Sequence, residues 1–207
     1  MEERSLYLVR HGETVGESSV RYYGRTDVAL SDVGRAQVQA LAPLVRHVAF
    51  QAVVHSPLVR AQESAEILAA ELLEPPALTE AAPDLIEVDF GDIEGLTDGE
   101  IAAKMPGWYR DWKAGSAPGF PGGETFSGFA QRMETAIDGL LARHPAGNLL
   151  VVAHKGVIKR ALAHLLGLSP DAAAKINLDL GSLSVIACSD RQQLTLKHLN
   201  LTAEGSR

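Results

Sequence analysis

Short apolar runs alternate with longer periodic stretches along this chain. Leu6-Tyr7-Leu8-Val9 is too short for a helix and has charged residues before it and polar ones after it, the pattern of a buried strand. Ala52 to His55 and Asn148 to Ala153 have the same character. A helical repeat follows each run. After Ser31 as N-cap come Val38, Leu41, Val45 and Val48. After Ser56-Pro57, read as a capping serine with proline at the first helical position, come Leu58, Ala61, Ala65, Leu68 and Leu72. After His154-Lys155-Gly156 come Val157, Ile158, Ala161, Leu162, Leu165 and Leu166. Phe126, Phe129, Met133, Ile137 and Leu140 mark a long amphipathic helix ending near Pro145, and shorter helices fit Thr97 to Met105 and the segment after Ser169-Pro170. Ser182 to Ala187 and Leu194 to Leu201 alternate like paired strands joined near Asp190-Arg191, forming an antiparallel edge before a mobile tail after Thr202. Strands alternating with helices predict an α/β architecture with a mostly parallel sheet.

Composition narrows the class. With 207 residues, 46% hydrophobic and 22% charged, residues 1–207 suit one globular domain with a sizeable core. A net charge of -7 argues against nucleic acid or an anionic membrane as the main partner, while local positive pockets stay compatible with it. The start, Met1-Glu2-Glu3-Arg4, is acidic where a signal peptide needs basic residues, and no run approaches a membrane span. The single cysteine, Cys188, forms no internal disulfide and suits a reducing compartment. The expectation is a cytoplasmic enzyme or binding domain.

Candidate chemistry gathers where the strands end. Arg10 and His11 sit at the carboxyl end of the first strand, the end at which open α/β sheets bind ligands, and Gly12 lets the backbone approach whatever His11 faces. Arg60 falls in the first turn of the helix after the second strand, and His154-Lys155-Gly156 repeats the opening grammar. If these strands are parallel neighbours, all three units point to one rim. Leu85 to Gly95 holds four carboxylates, Glu87, Asp89, Asp92 and Glu94. Clustered carboxylates can raise one another's pKa, as a general acid requires. These residues alone do not choose among the four, and an ordinary acidic loop fits them too. The loop Val15 to Asp27, with Arg21, Tyr22, Tyr23, Gly24 and Arg25, either lines a pocket or is solvated. The stretch 107–123 is irregular in pattern and contains both tryptophans, fitting a lid, a specificity loop or a cover over the core.

Two histidines, two arginines and a carboxylate on one rim suit phosphoryl transfer, where the work is positioning and charge neutralisation. Arginine forks bind equatorial oxygens, a helix start at Lys155-Gly156 adds backbone donors, a neutral histidine can attack phosphorus, and a carboxylic acid can protonate the leaving alkoxide. Other phosphate chemistries fit poorly. Cys188 has Leu194, not arginine, six residues on, and there is no glycine-rich loop ending in Gly-Lys-Ser or Gly-Lys-Thr. No convincing metal-ligand set is visible, so neither metal nor other cofactor is expected.

Over nearly its whole length the sequence resembles the histidine phosphatase superfamily, in its branch of small phosphoglycerate mutase-like phosphatases. The motifs are Arg10-His11-Gly12-Glu13-Thr14, Gly24-Arg25-Thr26-Asp27 with Leu30-Ser31 and Gly34, Ser56-Pro57-Leu58 with Arg60-Ala61, Glu87 with Phe90-Gly91 and Glu94-Gly95, Gly123-Glu124, and Ala153-His154. The resemblance implies a three-layer α/β/α sandwich, in agreement with the element order. It implies that His11 is the phosphorylated nucleophile, that Arg10, Arg60 and His154 complete the phosphate pocket with Thr14 nearby, and that Glu87 is the proton donor. Tyr23, Gly24, Arg25 and Lys155 are the candidate substrate contacts. Two positions depart from the family pattern. Glu17 stands where many relatives carry asparagine and disfavours an anion there, and Lys155 follows the second histidine in place of a small or polar residue. The expected activity is metal-independent hydrolysis of a small phosphorylated metabolite. The rivals are a phosphoglycerate mutase using the same phosphohistidine, disfavoured by the short interval between Glu87 and His154, and a non-catalytic phospho-ligand receptor. Tyr22, Tyr23, Trp108 and Trp112 suit a stacked base, as in α-ribazole phosphate; Arg25, Arg110 and Lys113 suit a carboxylate, as in a phosphoglycerate. The antiparallel edge is available for a homodimer.

Overall fold

The computed structural model describes residues 4–188 and 194–203. Six strands form one sheet: β1 (Arg4–Arg10), β2 (Phe50–His55), β3 (Leu78–Ala81), β4 (Asn148–Ala153), β5 (Ser182–Cys188) and β6 (Leu194–Leu201), in the order β3-β2-β4-β1-β5-β6. β1 to β4 run parallel, while β5 is antiparallel to β1 and β6 to β5. Successive residues of the central strands face opposite sides. Leu8, Val54 and Val151 join one core with Met133, Ile137 and Ile158, whereas Val9, Val53 and Val152 join the other with Val38, Val45 and Leu68. Helices cover both faces, so the central strands are apolar on both sides and read as continuous runs. α1 (Asp32–Gln39), α2 (Ala42–Val45) and α3 (Val59–Glu71) lie on one face; α6 (Phe126–Arg143) and α7 (Lys155–Leu166) lie on the other. The three-layer sandwich with an antiparallel edge is the architecture observed.

The strand registers set the rim. Arg10 pairs with Ala153 and His55 with Val152. β1, β4 and β2 therefore end level, and the residues that follow them, His11, His154 and Ser56, emerge side by side. The backbone confirms the alignment, with the His11 amide donating to the Ala153 carbonyl at 3.1 Å and the Ser56 amide to Val152 at 3.0 Å.

Four local features differ from the sequence expectation. Ser31 does cap α1, accepting from the Gly34 amide at 3.1 Å, but the helix stops at Gln39 and resumes as α2 around Pro43, which has no amide to continue the ladder. α3 starts at Val59 with Leu58 as its cap, two residues later than the Ser56-Pro57 reading, and the Ser56 hydroxyl accepts from the Leu58 amide at 3.4 Å rather than capping the helix. β3 was not visible as a strand, because this four-residue edge is largely exposed and has no apolar run. The stretch expected to be irregular contains α5 (Pro106–Lys113), started by proline at its first position and following α4 (Asp98–Lys104). No residue of α5 is fully buried, which weakened its periodic signal. α8 (Pro170–Ala174) is capped by Ser169. The joint near Asp190-Arg191 and the tail beyond residue 203 lie outside the described residues. Among the described residues no helix is long and apolar enough to cross a membrane.

Candidate active site

Arg10, His11, Glu87, Lys155 and Gly156 line a cavity of about 910 Å³, whereas Arg60 and His154 are fully buried and do not line it. His11 is 4% exposed, and its Nδ1 lies 2.7 Å from the Gly12 carbonyl oxygen. A carbonyl only accepts, so Nδ1 carries the proton and Nε2 keeps its lone pair. Burial, then the charges of Arg60 and Arg10, hold the imidazole well below its usual pKa of 6.5, so it stays neutral into acid. Gly12 serves a different purpose from the one expected. A Cβ there would run into the backbone of Gly34, so the close approach is between this loop and α1 rather than to a ligand.

His154 packs edge-on to His11, with ring centroids 5.1 Å apart. Its Nδ1 accepts from Arg60 Nε at 3.3 Å, which places the proton on Nε2, 2.7 Å from the Ser56 hydroxyl. Two neighbours thus set the tautomer. Ser56 was read only as a helix cap, and nothing local in the sequence connects it to a histidine 98 residues away.

The two arginines differ in their bonding. Arg60 is completely buried and donates to the carbonyls of Thr26 (2.9 Å), Tyr23 (3.2 Å) and Gly24 (2.7 Å) besides His154. It therefore clamps the loop after Glu17 against the rim. Arg10 donates to the Leu178 carbonyl at 2.7 Å, but its buried Nε has no partner. Burial pushes its pKa down to about 10, still well above neutrality. An orphaned, charged donor beside a cavity costs free energy that a bound anion would recover.

Glu87 is 5% exposed and accepts from the Val88 amide through Oε1 and from the Gly156 amide through Oε2, both at 3.0 Å. Burial raises its pKa above 4.5, outweighing the two amides and the two arginines. The cause is desolvation, not the clustering of carboxylates. Two of the others have separate work. Glu94 accepts from the amides of Gly24, Arg25 and Thr26, and Asp89 pairs with Arg25 at 3.4 Å. Arg132, paired with Glu124 at 2.9 Å, holds the carbonyls of Asp84 and Ile86 and so fixes the segment carrying Glu87. The start of α7 also differs from expectation, because its Gly156 amide serves Glu87.

A Cβ at Gly156 would sit 2.5 Å from Glu87 Oε1. Gly156→Ala should displace the carboxyl and lower kcat by roughly tenfold to a hundredfold. Alanine's better helix propensity, worth up to about 1 kcal/mol, should keep thermal stability near wild type. Unchanged kcat with unchanged stability would show that the carboxyl position does not matter.

The remaining sequence candidates divide. Tyr22, Tyr23 and Lys155 line the cavity. Gly24 contributes its backbone to the Arg60 clamp, and the Thr14 hydroxyl is held 2.6 Å from that of Ser18, a lining residue. Arg25, Arg110 and Lys113 are all engaged with acids, namely Asp89, Asp111 and Asp98. Glu17 is exposed, lies 3.9 Å from Arg21 and adopts a left-handed φ of 63°. Trp112 faces the cavity, whereas Trp108 stacks on it at 5.1 Å and donates to the Gly119 carbonyl. Tyr22 and Tyr109 both donate to Asp98, fastening α5 to the loop.

Histidines at the ends of two adjacent parallel strands, each in a set tautomer and flanked by buried arginines, define a phosphoryl-transfer class of α/β protein. The model of the histidine phosphatase superfamily (branch 1) matches residues 6–202, and the chain belongs to that family. A bifunctional protein of Mycobacterium tuberculosis is 37% identical over 181 residues, which are 87% of this chain and 49% of that protein. The chain thus spans about half the length of the mycobacterial relatives it matches. The adenosylcobalamin/alpha-ribazole phosphatase of Escherichia coli K12 is 32% identical over 204 residues, covering 97% of both. The crystal structure of the alpha-ribazole phosphatase from Shigella flexneri superposes with a TM-score of 0.84 at 31% identity, covering 95% of this chain and 96% of that one.

Proposed function

We propose that this chain, acting as one catalytic unit, is a metal-independent phosphomonoesterase that hydrolyses a small phosphorylated metabolite through a phosphohistidine at His11. The observation that carries the reading is the His11 tautomer: Nδ1 is committed to the Gly12 carbonyl and Nε2 is left bare, neutral and beside the unpartnered Nε of Arg10. Nε2 attacks phosphorus and the bond to the leaving oxygen breaks. That oxygen takes the proton of Glu87, whose burial favours the acid form. Water then attacks the phosphohistidine, Glu87 accepts its proton, and His11 is released as the neutral base. Arg10 offers its unpartnered Nε to the phosphoryl oxygens, and the buried guanidinium of Arg60, whose donors are engaged by Tyr23, Gly24, Thr26 and His154, adds positive charge of the kind a metal provides elsewhere. Neutral His154, with its Nε2 proton directed at Ser56, positions Arg60. Tyr23 and Lys155 flank the leaving group. Membership of a family with several alpha-ribazole phosphatases among its matches supports hydrolysis.

The test is phosphate release with chelator present from p-nitrophenyl phosphate, sugar phosphates, 3-phosphoglycerate and α-ribazole 5′-phosphate, with rapid quenching to trap an acid-labile phosphoprotein. No release from any compound, or release that chelator abolishes, would overturn the proposal.

The pH profile follows from the two shifts. His11 must be unprotonated, so kcat/KM falls on the acid side only well below 6.5. Glu87 must be protonated, so it falls on the alkaline side above the ordinary 4.5. Glu87→Gln should remove the alkaline limb and slow esters of poor leaving groups far more than p-nitrophenyl phosphate. An unaltered alkaline limb in that variant would assign the proton donor elsewhere.

A further inference from the structure

The cavity wall formed by α7 carries positive charge that the protein itself does not neutralise. Lys155, Lys159 and Arg160 all line the cavity. Lys155 Nζ donates to Asn177 Oδ1 at 3.2 Å and Lys159 Nζ to the Ala174 carbonyl at 3.0 Å, both uncharged acceptors. Arg160 makes no side-chain hydrogen bond or ion pair among the described residues. By contrast, Arg21, Arg25, Arg35, Arg110, Lys113 and Arg132 each sit within 4.0 Å of a carboxylate. Asp179 faces this wall without pairing, since its oxygens receive the side-chain amides of Asn177 and Asn200 at 3.0 and 2.8 Å. Lys155, Lys159 and Arg160 thus bring to one cavity three positive charges without an ion-pair partner among the described residues. They also repel one another. Burial lowers the Lys159 pKa first, and the charges of Lys155 and Arg160 lower it further.

The other side of the cavity is apolar. Phe90, Phe120, Phe126, Phe129 and the ring of Trp112 line it, and Phe120 packs edge-on to both Phe90 and Phe126. Lys155 and Lys159 are one helical turn apart, so this cationic wall begins at the Glu87 end of α7 and continues about 6 Å along the helix.

We propose that the substrate is a phosphomonoester whose alcohol portion carries a second anionic group, a carboxylate or phosphate held by Lys155, Lys159 and Arg160, on an apolar or aromatic body lying against the phenylalanine wall. This rests on the phosphatase reading for the position of the first phosphate and names the substrate class of the same site. The cations expected from sequence to meet a carboxylate, Arg25, Arg110 and Lys113, are occupied by the protein's own acids; those of α7 are not.

The test uses non-hydrolysable ligands on the full chain, so that binding is read independently of turnover. Benzylphosphonate, 4-carboxybenzylphosphonate and p-xylylene bisphosphonate are titrated calorimetrically into wild type and the Lys159→Gln/Arg160→Gln double variant. The ligands with a second anion should bind wild type at least about tenfold tighter than benzylphosphonate, an advantage that shrinks with added salt and falls to within about twofold in the double variant. The larger advantage, carboxylate or phosphonate, identifies the second group. Equal affinities in wild type, or an advantage that persists in the double variant, would overturn the proposal. The matching phosphate esters separate it from the activity on which it rests. Anion-dependent binding without phosphate release overturns the hydrolase alone, and release without any anion preference overturns the second subsite alone.

Discussion

His11→Ala is expected to abolish turnover, with a loss on the order of 10⁵-fold or more in kcat, as when a nucleophile that acts as part of a catalytic unit is removed. The reason for so complete a loss lies in His154. Its Nδ1 lone pair is engaged by Arg60 and its Nε2 carries the proton directed at Ser56, so the second imidazole presents no bare nitrogen to replace the first. The fold should survive, because among the described residues the His11 side chain hydrogen-bonds only locally, to Gly12. Removing it also relieves the burial of a titratable group between two guanidinium charges. Single-turnover phosphate release, phosphoprotein trapping and a thermal melt on the same preparation check the prediction. A native melt with residual activity above about a thousandth of wild type would remove His11 from the nucleophile's position.

Arg60→Ala should damage rate and stability together, and in this it differs from the His11 variant. Truncation strips the donor from the carbonyls of Tyr23, Gly24 and Thr26 and from His154 Nδ1, and the bonds to Gly24 and His154 are buried. Buried acceptors left without partners and an unfilled guanidinium site should cost about 3 kcal/mol or more in the free energy of unfolding. Loss of a positive charge from the phosphoryl pocket, with release of the loop that carries Tyr23, should lower kcat by roughly 10²–10³-fold. Arg60→Lys keeps the charge but not the planar fork, so it should recover little of either loss. Urea midpoints and kcat for p-nitrophenyl phosphate decide the matter. A large fall in kcat with an unchanged midpoint would mean that the three carbonyl contacts do not hold the loop in place.

Ser56 extends the same logic to the second histidine. Its hydroxyl lies just outside α3, which begins at Val59, and its partner lies at the end of a different strand. The level ends of β1, β2 and β4 bring three separate chain segments together, with His154 hydrogen-bonded to Arg60 and Ser56 and packed edge-on against His11.

By itself, the sequence determined the elements that bring chemistry to the rim. Leu6 to Val9, Ala52 to His55 and Asn148 to Ala153 are legible as strands because burial on both faces demands continuous apolar side chains. Arg10, His11 and His154 are legible as rim residues because each follows directly on such a run, and Arg60 because it falls in the first turn of the helix after one. The same local signal failed for β3 and α5, whose exposure leaves no periodic apolar face. The protonation and pairing of the site were decided by tertiary structure. Which of four carboxylates is buried, that the Gly156 amide goes to Glu87, that Ser56 meets His154, and that Arg25 and Lys113 are neutralised while Arg160 is not, all depend on contacts between distant segments. Periodicity records whether a residue faces water. Charge state and hydrogen-bond partner depend on what stands opposite after folding, and no local pattern encodes the opposite side.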